Sequence, residues 1–288
     1  MRVRVPPSAP TTCTRNLASF QHLGTPVLSN RPSDGIHRST QADGRRVIVK
    51  SRRSAPAGFF AAEARGLAAL RAADALRVPD VFEVRATCIV LEDLGDGPRA
   101  ADYWQRAGAG LARQHSVTGA WFGFDHDGFC GDSPQDNTPD VDGWRFFAER
   151  RLLPQMRHAR DGGLVGPADA AAIERLCTQL RERVPGMPPV LLHGDLWSGN
   201  LHACGDGAPA LIDAGAVHYG WAEAELAMLT LFGSPPISFF DAYAEHAPLR
   251  RDWRQRRPLF NLYHLLNHVN LFGAGYLPEL RNALHACA

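Results

Sequence analysis

Four side chains in the second half of the sequence could together carry out acid–base and metal-ion chemistry. His193, Asp195 and Asn200 lie within the segment H-G-D-L-W-S-G-N, and Asp213 follows shortly after it. A carboxylate can accept the proton of a hydroxyl group, and carboxylate and amide oxygens are the hard ligands that Mg²⁺ prefers. These residue types predict Asp195 as a proton acceptor, Asn200 and Asp213 as magnesium ligands, and a structural role for His193.

A single lysine stands out among the basic residues. Lys50 is the only lysine in the chain, and every other residue in the combined count of lysines and arginines is an arginine. Lysine offers a compact ammonium group whereas arginine offers a wide planar fork, so a phosphate site built for one rejects the other. We interpret Lys50 as a ligand of nucleotide phosphates, although chance survival of one lysine is the alternative. Glu63 could orient Lys50 or could be a solvated helix residue.

The spacing of these residues is that of a phosphoryl-transfer site. An H-x-D segment with asparagine five positions after the aspartate is the arrangement of the kinase catalytic loop, and the metal-binding aspartate follows on the next strand. A lysine on a strand and a glutamate on the following helix come from an earlier lobe. The sequence therefore predicts a kinase that uses ATP and Mg²⁺.

The elements that would carry these residues follow from turn signals and periodicity. A β-branched run over 45–50 predicts a strand that ends at Lys50, and the apolar spacing over 57–73 predicts a helix that contains Glu63. Two further strands are predicted over 81–84 and 88–91. After them the pattern is mainly helical, with helices over 100–117, from Trp144, and over 168–183, 222–232, 238–247 and 258–272, and with strands over 190–192 and 210–212.

These elements predict an α+β, two-lobed, protein-kinase-like fold. The small β-rich N-terminal lobe, residues 26–92, would bind the nucleotide, and residues 93–97 would form a hinge. Residues 98–288 would form the larger, mainly helical lobe that holds the catalytic and substrate groups. Residues 1–25 contain several prolines and no apolar core segment, so we expect a disordered leader.

Composition argues against several classes of partner. The formal net charge is +1, so we expect no nucleic-acid partner. No stretch approaches the roughly 20 apolar residues of a membrane-spanning helix, so we expect no membrane partner. The six cysteines are scattered without a C-x-x-C pair, and reduced thiols of a cytoplasmic protein are the simplest interpretation.

The sequence resembles the fructosamine kinase family, also called ketosamine 3-kinases, over roughly residues 26–280. The segment H-G-D-L-W-S-G-N is similar to the signature of that family. Further similarities are G-D-S-P-Q-D-N-T from Gly131, L-F-G from Leu231, and L-Y-H-L-L-N-H followed by F-G-x-G-Y near the C-terminal end.

The resemblance implies transfer of the ATP γ-phosphate to the sugar 3-hydroxyl of ketosamines, either small molecules or protein-bound adducts, which leads to deglycation. Ribulosamines and erythrulosamines are favoured over fructosamines by similarity to bacterial members. The resemblance also implies that Asp195 is the proton acceptor and that Glu92, Asp93 and Leu94 form the hinge that holds adenine through backbone groups.

Four other residues are candidate substrate contacts. Tyr219 and Glu223 lie in the stretch after the metal-binding aspartate, and either could face the substrate. Trp197 could face the substrate or only pack. For His268, packing beside an apolar stripe is the alternative to ligand contact.

The sequence departs from the family pattern at three points. The segment 28–39, where the family has a glycine-containing loop, holds only Gly35 and includes Pro32, which lacks a backbone N–H. Asp213 is followed by Ala214 instead of proline, which should loosen the backbone, and Glu225 replaces an aspartate. The alternatives are therefore a small-molecule kinase of the aminoglycoside or choline type, and a catalytically weakened pseudokinase that acts as a regulator.

Overall fold

The computed structural model describes residues 34–247 and 249–288. The predicted leader, residues 1–25, lies outside these residues, as do residues 28–33, the first half of segment 28–39.

One antiparallel sheet and one helix form the N-terminal part. The sheet has the order β1-β2-β4-β3. The elements are β1 (Gly35–Thr40), β2 (Arg46–Ser51), α1 (Phe59–Ala72), β3 (Val81–Val84) and β4 (Cys88–Glu92). The predicted strands and the predicted helix are confirmed. The assignment of residues 35–39 to a loop was wrong, because they pair with β2 in continuous antiparallel register.

Alternation along β2 decides where Lys50 points. Val47 and Val49 are buried against Val90 on one face of the sheet. Successive side chains of a strand point to opposite faces, so Ile48 and Lys50 point to the other face, which α1 covers. The strand pattern therefore directs the single lysine toward the helix that carries the predicted partner.

The remainder of the described chain is mainly helical. Its helices are α2 (Tyr103–Gln114), α3 (Gly143–Phe147), α4 (Leu153–Asp161), α5 (Pro167–Thr178), α6 (Leu180–Arg183), α7 (Ala222–Leu229), α8 (Ile237–His246), α9 (Arg257–Phe272) and α10 (Leu277–Ala286). A π-helical turn, Ala148–Leu152, joins α3 to α4, and 3₁₀ turns cover Trp253–Arg256 and Ala274–Tyr276.

Six short strands form three two-stranded antiparallel sheets in this part. The pairs are β5 (Gly128–Cys130) with β6 (Ser133–Gln135), β7 (Val190–Leu192) with β10 (His218–Gly220), and β8 (Leu201–Ala203) with β9 (Pro209–Leu211). The segment H-G-D-L-W-S-G-N connects β7 to β8, and Asp213 follows β9. The strands predicted ahead of these two carboxylates are confirmed.

The predicted single helix over 168–183 is wrong, because it breaks at Gln179 into α5 and α6. The hydroxyl of Thr178 donates to the carbonyl oxygen of Arg175, the acceptor that a continuous helix would offer to the Gln179 N–H. That N–H donates instead to Leu176 O at 3.0 Å. Local side-chain competition for a carbonyl therefore ends α5.

Two large apolar cores hold the molecule together. One surrounds α9, whose predicted stripe is buried, with Leu262, Leu266 and Val269 fully inaccessible. The other joins Leu67 and Leu70 of α1 to residues of α2 and α8. Because burial of each such leucine contributes roughly 1.5–3 kcal/mol, α1 is firmly packed against the helical part. The architecture is α+β, with a small strand-rich N-terminal part and a mainly helical remainder, as predicted.

Among the described residues, no helix combines the length and the apolar character needed to cross a bilayer.

Candidate active site

Lys50 lies between two carboxylates. Its Nζ is 2.6 Å from Glu63 Oε1, and it also pairs with Asp213 Oδ1. The side chains of Lys50 and Glu63 are 12% and 6% exposed, whereas that of Asp213 is 44% exposed. The ammonium group is therefore held on the buried side by Glu63 and faces the open side beside Asp213. The structure thus brings three of the predicted site residues into direct contact.

The approach of α1 to Asp213 depends on a glycine. A Cβ atom at Gly66 would lie 1.8 Å from the carbonyl oxygen of Ala214, so only glycine allows this contact. Asp213 has φ 60°, a left-handed conformation that aspartate tolerates better than most residues. On the other side, Phe129 N–H donates to Gly215 O at 2.8 Å. The segment around Ala214 is therefore packed from two directions, and the expectation that Ala214 loosens this backbone stays a prediction.

Backbone and side-chain hydrogen bonds tie Asn200 to Asp195 and to the strand before Asp213. Asn200 Nδ2 donates to Asp195 O at 2.8 Å, and Ile212 N–H donates to Asn200 O at 3.2 Å. His193 is fully buried, with Nε2 2.7 Å from Ile212 O. Since only a protonated nitrogen can donate to a carbonyl, Nε2 carries the proton and Nδ1 can accept from Asp195 N–H at 3.4 Å. These contacts support the predicted structural role of His193.

Gly194 connects the loop to a buried polar network. It has φ 84°, and a Cβ there would lie 2.0 Å from Ala216 O. Its N–H donates to Glu225 Oε1 at 2.8 Å. The other oxygen of Glu225 is 2.9 Å from His115 Nε2, and His115 Nδ1 is 2.7 Å from the Tyr243 hydroxyl. The backbone next to Asp195 is therefore fixed by a fully buried carboxylate on α7.

The side chain of Asp195 is 22% exposed, so its carboxylate is partly accessible to solvent. Burial raises the pKa of this carboxyl above its usual value, and the nearby imidazole of His268 opposes that rise. Its Oδ1 is 4.0 Å from His264 Nδ1. A carboxylate with a raised pKa is a better proton acceptor than an ordinary surface aspartate.

The predicted hinge residues differ in what their side chains do. Glu92 ends β4, and its carboxylate is 2.8 Å from Arg77 Nη2. The Asp93 carboxylate accepts from Gly95 N–H at 2.9 Å and is 3.2 Å from Arg38 Nε. These side chains are occupied by structural contacts, so any adenine contact would come from the backbone, as the sequence predicts.

The third hinge residue, Leu94, is buried, and its carbonyl oxygen accepts from Gly205 N–H at 2.9 Å. Its carbonyl is thus committed to the loop between β8 and β9. The backbone N–H of Leu94 is the group that we would assign to adenine.

Two of the predicted substrate residues differ in exposure. Trp197 is 41% exposed and its ring lies against Gly199, so it offers accessible aromatic surface two positions after Asp195 in the chain. Tyr219 is half-buried, packs on Phe124 at 5.9 Å between ring centroids, and pairs through its backbone with Gly123. Trp197 fits a substrate contact better than Tyr219 does.

The other two candidate substrate residues, Glu223 and His268, also differ in exposure. Glu223 is 4% exposed, and both its oxygens bind Arg256, at 2.6 and 2.7 Å. We therefore leave Glu223 out of the proposed substrate site, because its carboxylate is committed to a buried ion pair. His268 is half-buried and lies 4.8 Å from the ring of Phe232 and 5.3 Å from that of Phe272. Phe272 is 64% exposed, so His268 belongs to an accessible aromatic cluster.

The predicted magnesium ligands fit the ion chemically. Asn200 uses its amide nitrogen for Asp195 O, so its Oδ1 is left to serve as a ligand. Asp213 offers a carboxylate that is open to solvent, and the bond from Ile212 to Asn200 keeps the two segments adjacent. Two hard oxygen donors of this kind would suit Mg²⁺, with water and phosphate oxygens supplying its remaining ligands.

Sequence reasoning missed several functional residues. No role was predicted for Glu225 and His115, which hold the loop, or for Cys130 and His264, which lie beside Asp195. An acidic residue inside the apolar run A-E-L-A-M-L is the signal that could have identified Glu225 as buried and paired. No local signal connects Cys130 to His264, because they are brought together only by tertiary packing.

Comparison with known proteins assigns the family. The sequence model described as fructosamine kinase matches residues 32–288. A probable ketoamine kinase of Synechocystis sp. is 39% identical over 248 residues, 84% of this chain and 83% of the relative. The chloroplastic protein-ribulosamine 3-kinase of Arabidopsis thaliana is 34% identical over 248 residues, 82% of this chain and 74% of the relative.

Solved structures agree with this assignment. The crystal structure of a Thermobifida fusca protein assigned as a fructosamine-3-kinase superposes with a TM-score of 0.81 at 39% identity, over 87% of this chain and 88% of the other. A macrolide 2′-phosphotransferase, at 16% identity, shares the fold with a TM-score of 0.57 over 88% and 87% of the two chains. The predicted protein-kinase-like fold is therefore confirmed. By sequence and by fold, this chain belongs to the fructosamine kinase family.

Proposed function

We propose that this protein transfers the γ-phosphate of ATP to the sugar 3-hydroxyl of a ketosamine. The observation that carries the proposal is the ion pair between the single lysine, Lys50, and Asp213. Hydrogen bonds through Ile212 and Asn200 connect Asp213 to the loop of Asp195. A cation for the triphosphate, two oxygen ligands for a metal and a proton acceptor for a hydroxyl are the parts that phosphoryl transfer needs.

Each of these residues has one task in the proposed reaction. Lys50 binds the α- and β-phosphates, and Glu63 holds its ammonium group in one direction. Asp195 accepts the hydrogen bond of the substrate hydroxyl, and takes the proton as the bond to phosphorus forms. Asn200 and Asp213 hold Mg²⁺, which when bound neutralises and aligns the phosphate oxygens. The backbone of the hinge, Glu92 to Leu94, holds adenine.

The acceptor would approach from the exposed aromatic side of the cleft. Trp197, two positions after Asp195 in the chain, and the cluster of His268 with Phe232 and Phe272 offer accessible aromatic surface, and His268 is close enough to Asp195 to lower its pKa. Such a surface suits the alkyl arm of a glycated lysine. A protein-bound ketosamine is supported by the name of the Arabidopsis relative, which is a protein-ribulosamine 3-kinase.

Ribulosamines and erythrulosamines are our preferred acceptors, with fructosamines as a further possibility. The 3-phosphate of such an adduct is unstable, and its loss would free the amine, so the consequence would be deglycation. We also propose a cytoplasmic location, since the reaction consumes ATP and the five described cysteines are free thiols.

The deciding experiment is a substrate panel with 3-phosphate formation as the readout. Ribulosamine, erythrulosamine and fructosamine are tested free and linked to lysine, each with Mg²⁺ and ATP. We expect phosphorylation of the smaller sugars by the wild-type protein and loss of most turnover in Asp195→Asn. Aminoglycosides and choline are added as alternative acceptors, and phosphorylation of either without phosphorylation of any ketosamine would overturn the proposed substrate class.

A thermal-shift titration with Mg²⁺ and ATP separates the enzyme from a pseudokinase. Ligand that binds only the folded state raises its stability by about 2.7 kcal/mol at a hundred times the dissociation constant. We expect a clear rise in melting temperature at millimolar nucleotide for both the wild type and Asp195→Asn. No rise in the wild type would favour a regulator without nucleotide binding.

A further inference from the structure

Three metal-binding groups converge on the buried side of Asp195. Cys130 Sγ is 3.9 Å from His264 Nδ1, and that nitrogen is 4.0 Å from Asp195 Oδ1. The ligand atoms of all three residues lie within 4.8 Å of one another. Cys130 comes from β5, Asp195 from the loop after β7, and His264 from α9. Separate elements therefore present sulfur, nitrogen and oxygen to one point.

The donor set differs from that of the magnesium site. Thiolate and imidazole are soft or intermediate ligands that select Zn²⁺ and related transition metals, whereas Mg²⁺ takes oxygen. In a tetrahedral zinc site with a Zn–S bond of about 2.3 Å and a Zn–N bond of about 2.0 Å, nitrogen and sulfur lie roughly 3.5 Å apart. The observed sulfur–nitrogen separation of 3.9 Å is a few tenths of an ångström larger, and the nitrogen–oxygen separation of 4.0 Å exceeds its tetrahedral value by about 0.7 Å. Small side-chain movements toward a central ion would close them.

Burial acts in opposite directions on two of these ligands. It raises the pKa of the Cys130 thiol well above its usual value, so the metal must displace the thiol proton. Burial lowers the pKa of His264 to about 3, so its imidazole is neutral at pH 7 and offers a lone pair. Asn267 Nδ2 lies 3.3 Å from Cys130 Sγ, and donates to Cys130 O at 3.0 Å, which fixes the position of the cysteine. Cys130 and His264 are buried, but Asp195 is partly exposed, so an ion could enter from the cleft.

We propose that Cys130, Asp195 and His264 form an inhibitory site for Zn²⁺ or a similar transition metal. Binding forms a metal–sulfur bond, and the cysteine proton leaves to solvent. The thiolate and the Asp195 carboxylate then balance the two positive charges of the ion, and water fills the fourth position. The inhibition, which rests on the proposed function of Asp195, arises because a metal-bound carboxylate cannot accept the proton of the substrate.

Spectroscopy with Co²⁺ in place of Zn²⁺ tests the site without any assay of catalysis. We expect the wild-type protein to show the absorption of tetrahedral Co²⁺ with a thiolate charge-transfer band, and Cys130→Ala to lose that band. Cys177→Ala is the matched control, because Cys177 lies on α5 and is not among the clustered ligands. Absence of the thiolate band in the wild type, or its persistence in Cys130→Ala, overturns the proposal.

Inhibition is then measured with buffered free Zn²⁺ and a phosphine reductant that does not chelate metal. Each variant is compared with its own metal-free rate. At a zinc concentration that slows the wild type and Cys177→Ala about tenfold, we expect Cys130→Ala to be slowed less than about twofold, since one of three ligands is gone. Equal inhibition of all three proteins contradicts the assignment.

A third measurement covers the case in which Cys130→Ala does not fold. Crystals of the full chain soaked in Zn²⁺ should show an anomalous peak about 2.3 Å from Cys130 Sγ. A peak elsewhere, or none, refutes the site. If the cobalt band and the peak are present but no ketosamine is phosphorylated, the metal site stands and the proposed function fails.

Discussion

Glu225 should be the residue outside the cleft whose loss most damages the site. Glu225→Ala would leave two buried donors without an acceptor, the N–H of Gly194 and the Nε2–H of His115. Each such group costs about 1–3 kcal/mol, so we expect a loss of roughly 2–6 kcal/mol in the free energy of unfolding. Gly194 adjoins Asp195, and a displacement of about 1 Å can lower turnover about a hundredfold.

Glu225→Gln should be much milder. The amide keeps the volume of the side chain and can still accept from Gly194, while its nitrogen would face His115. The imidazole can take the other tautomer and accept that hydrogen bond, so the loss should be about 1–2 kcal/mol, the difference between a charged and a neutral acceptor.

The assays are urea unfolding and steady-state kinetics with saturating ATP. Glu223→Gln is the matched control, because Glu223 is also a buried acid on α7 but binds Arg256. We expect the control to lose stability while the folded protein keeps its kcat. Glu225→Ala should lose both, with little change in the KM for ATP. Full kcat in folded Glu225→Ala would refute the claim that this carboxylate positions the loop.

Three further predictions concern the cleft. Lys50→Arg should lose nearly all activity and about 1–3 kcal/mol of stability, because a guanidinium overfills a site that is 12% exposed, and normal turnover would show that the lysine is not required. Gly66→Ala should be strongly destabilising, because its Cβ would strike Ala214 O at 1.8 Å, and a melting temperature equal to that of the wild type would contradict this contact. Activity should fall with decreasing pH through the raised pKa of Asp195, and His268→Ala should move this acid limb to higher pH, because the imidazole lowers that pKa. An acid limb unmoved in the kcat/KM profile of His268→Ala would count against this electrostatic link.

Local patterns determined most of the fold and the first list of site residues. Several patterns depend only on neighbours in the chain. They are the β-branched run before Lys50, the apolar stripe of α9, and the short apolar strands before His193 and Asp213. The spacing within H-G-D-L-W-S-G-N likewise lies on one loop. These features could be predicted because the interactions that produce them are local.

Contacts between distant segments could be decided only by the tertiary structure. The sequence predicted Glu223 as a candidate substrate contact and gave Glu225 no role, yet packing gives Glu223 to Arg256 and Glu225 to Gly194. The same is true of Cys130 and His264, which are 134 positions apart in the chain and 3.9 Å apart in space. The burial that shifts their pKa values and makes their polar partners obligatory is a property of the packed molecule, so periodicity along the chain does not encode it.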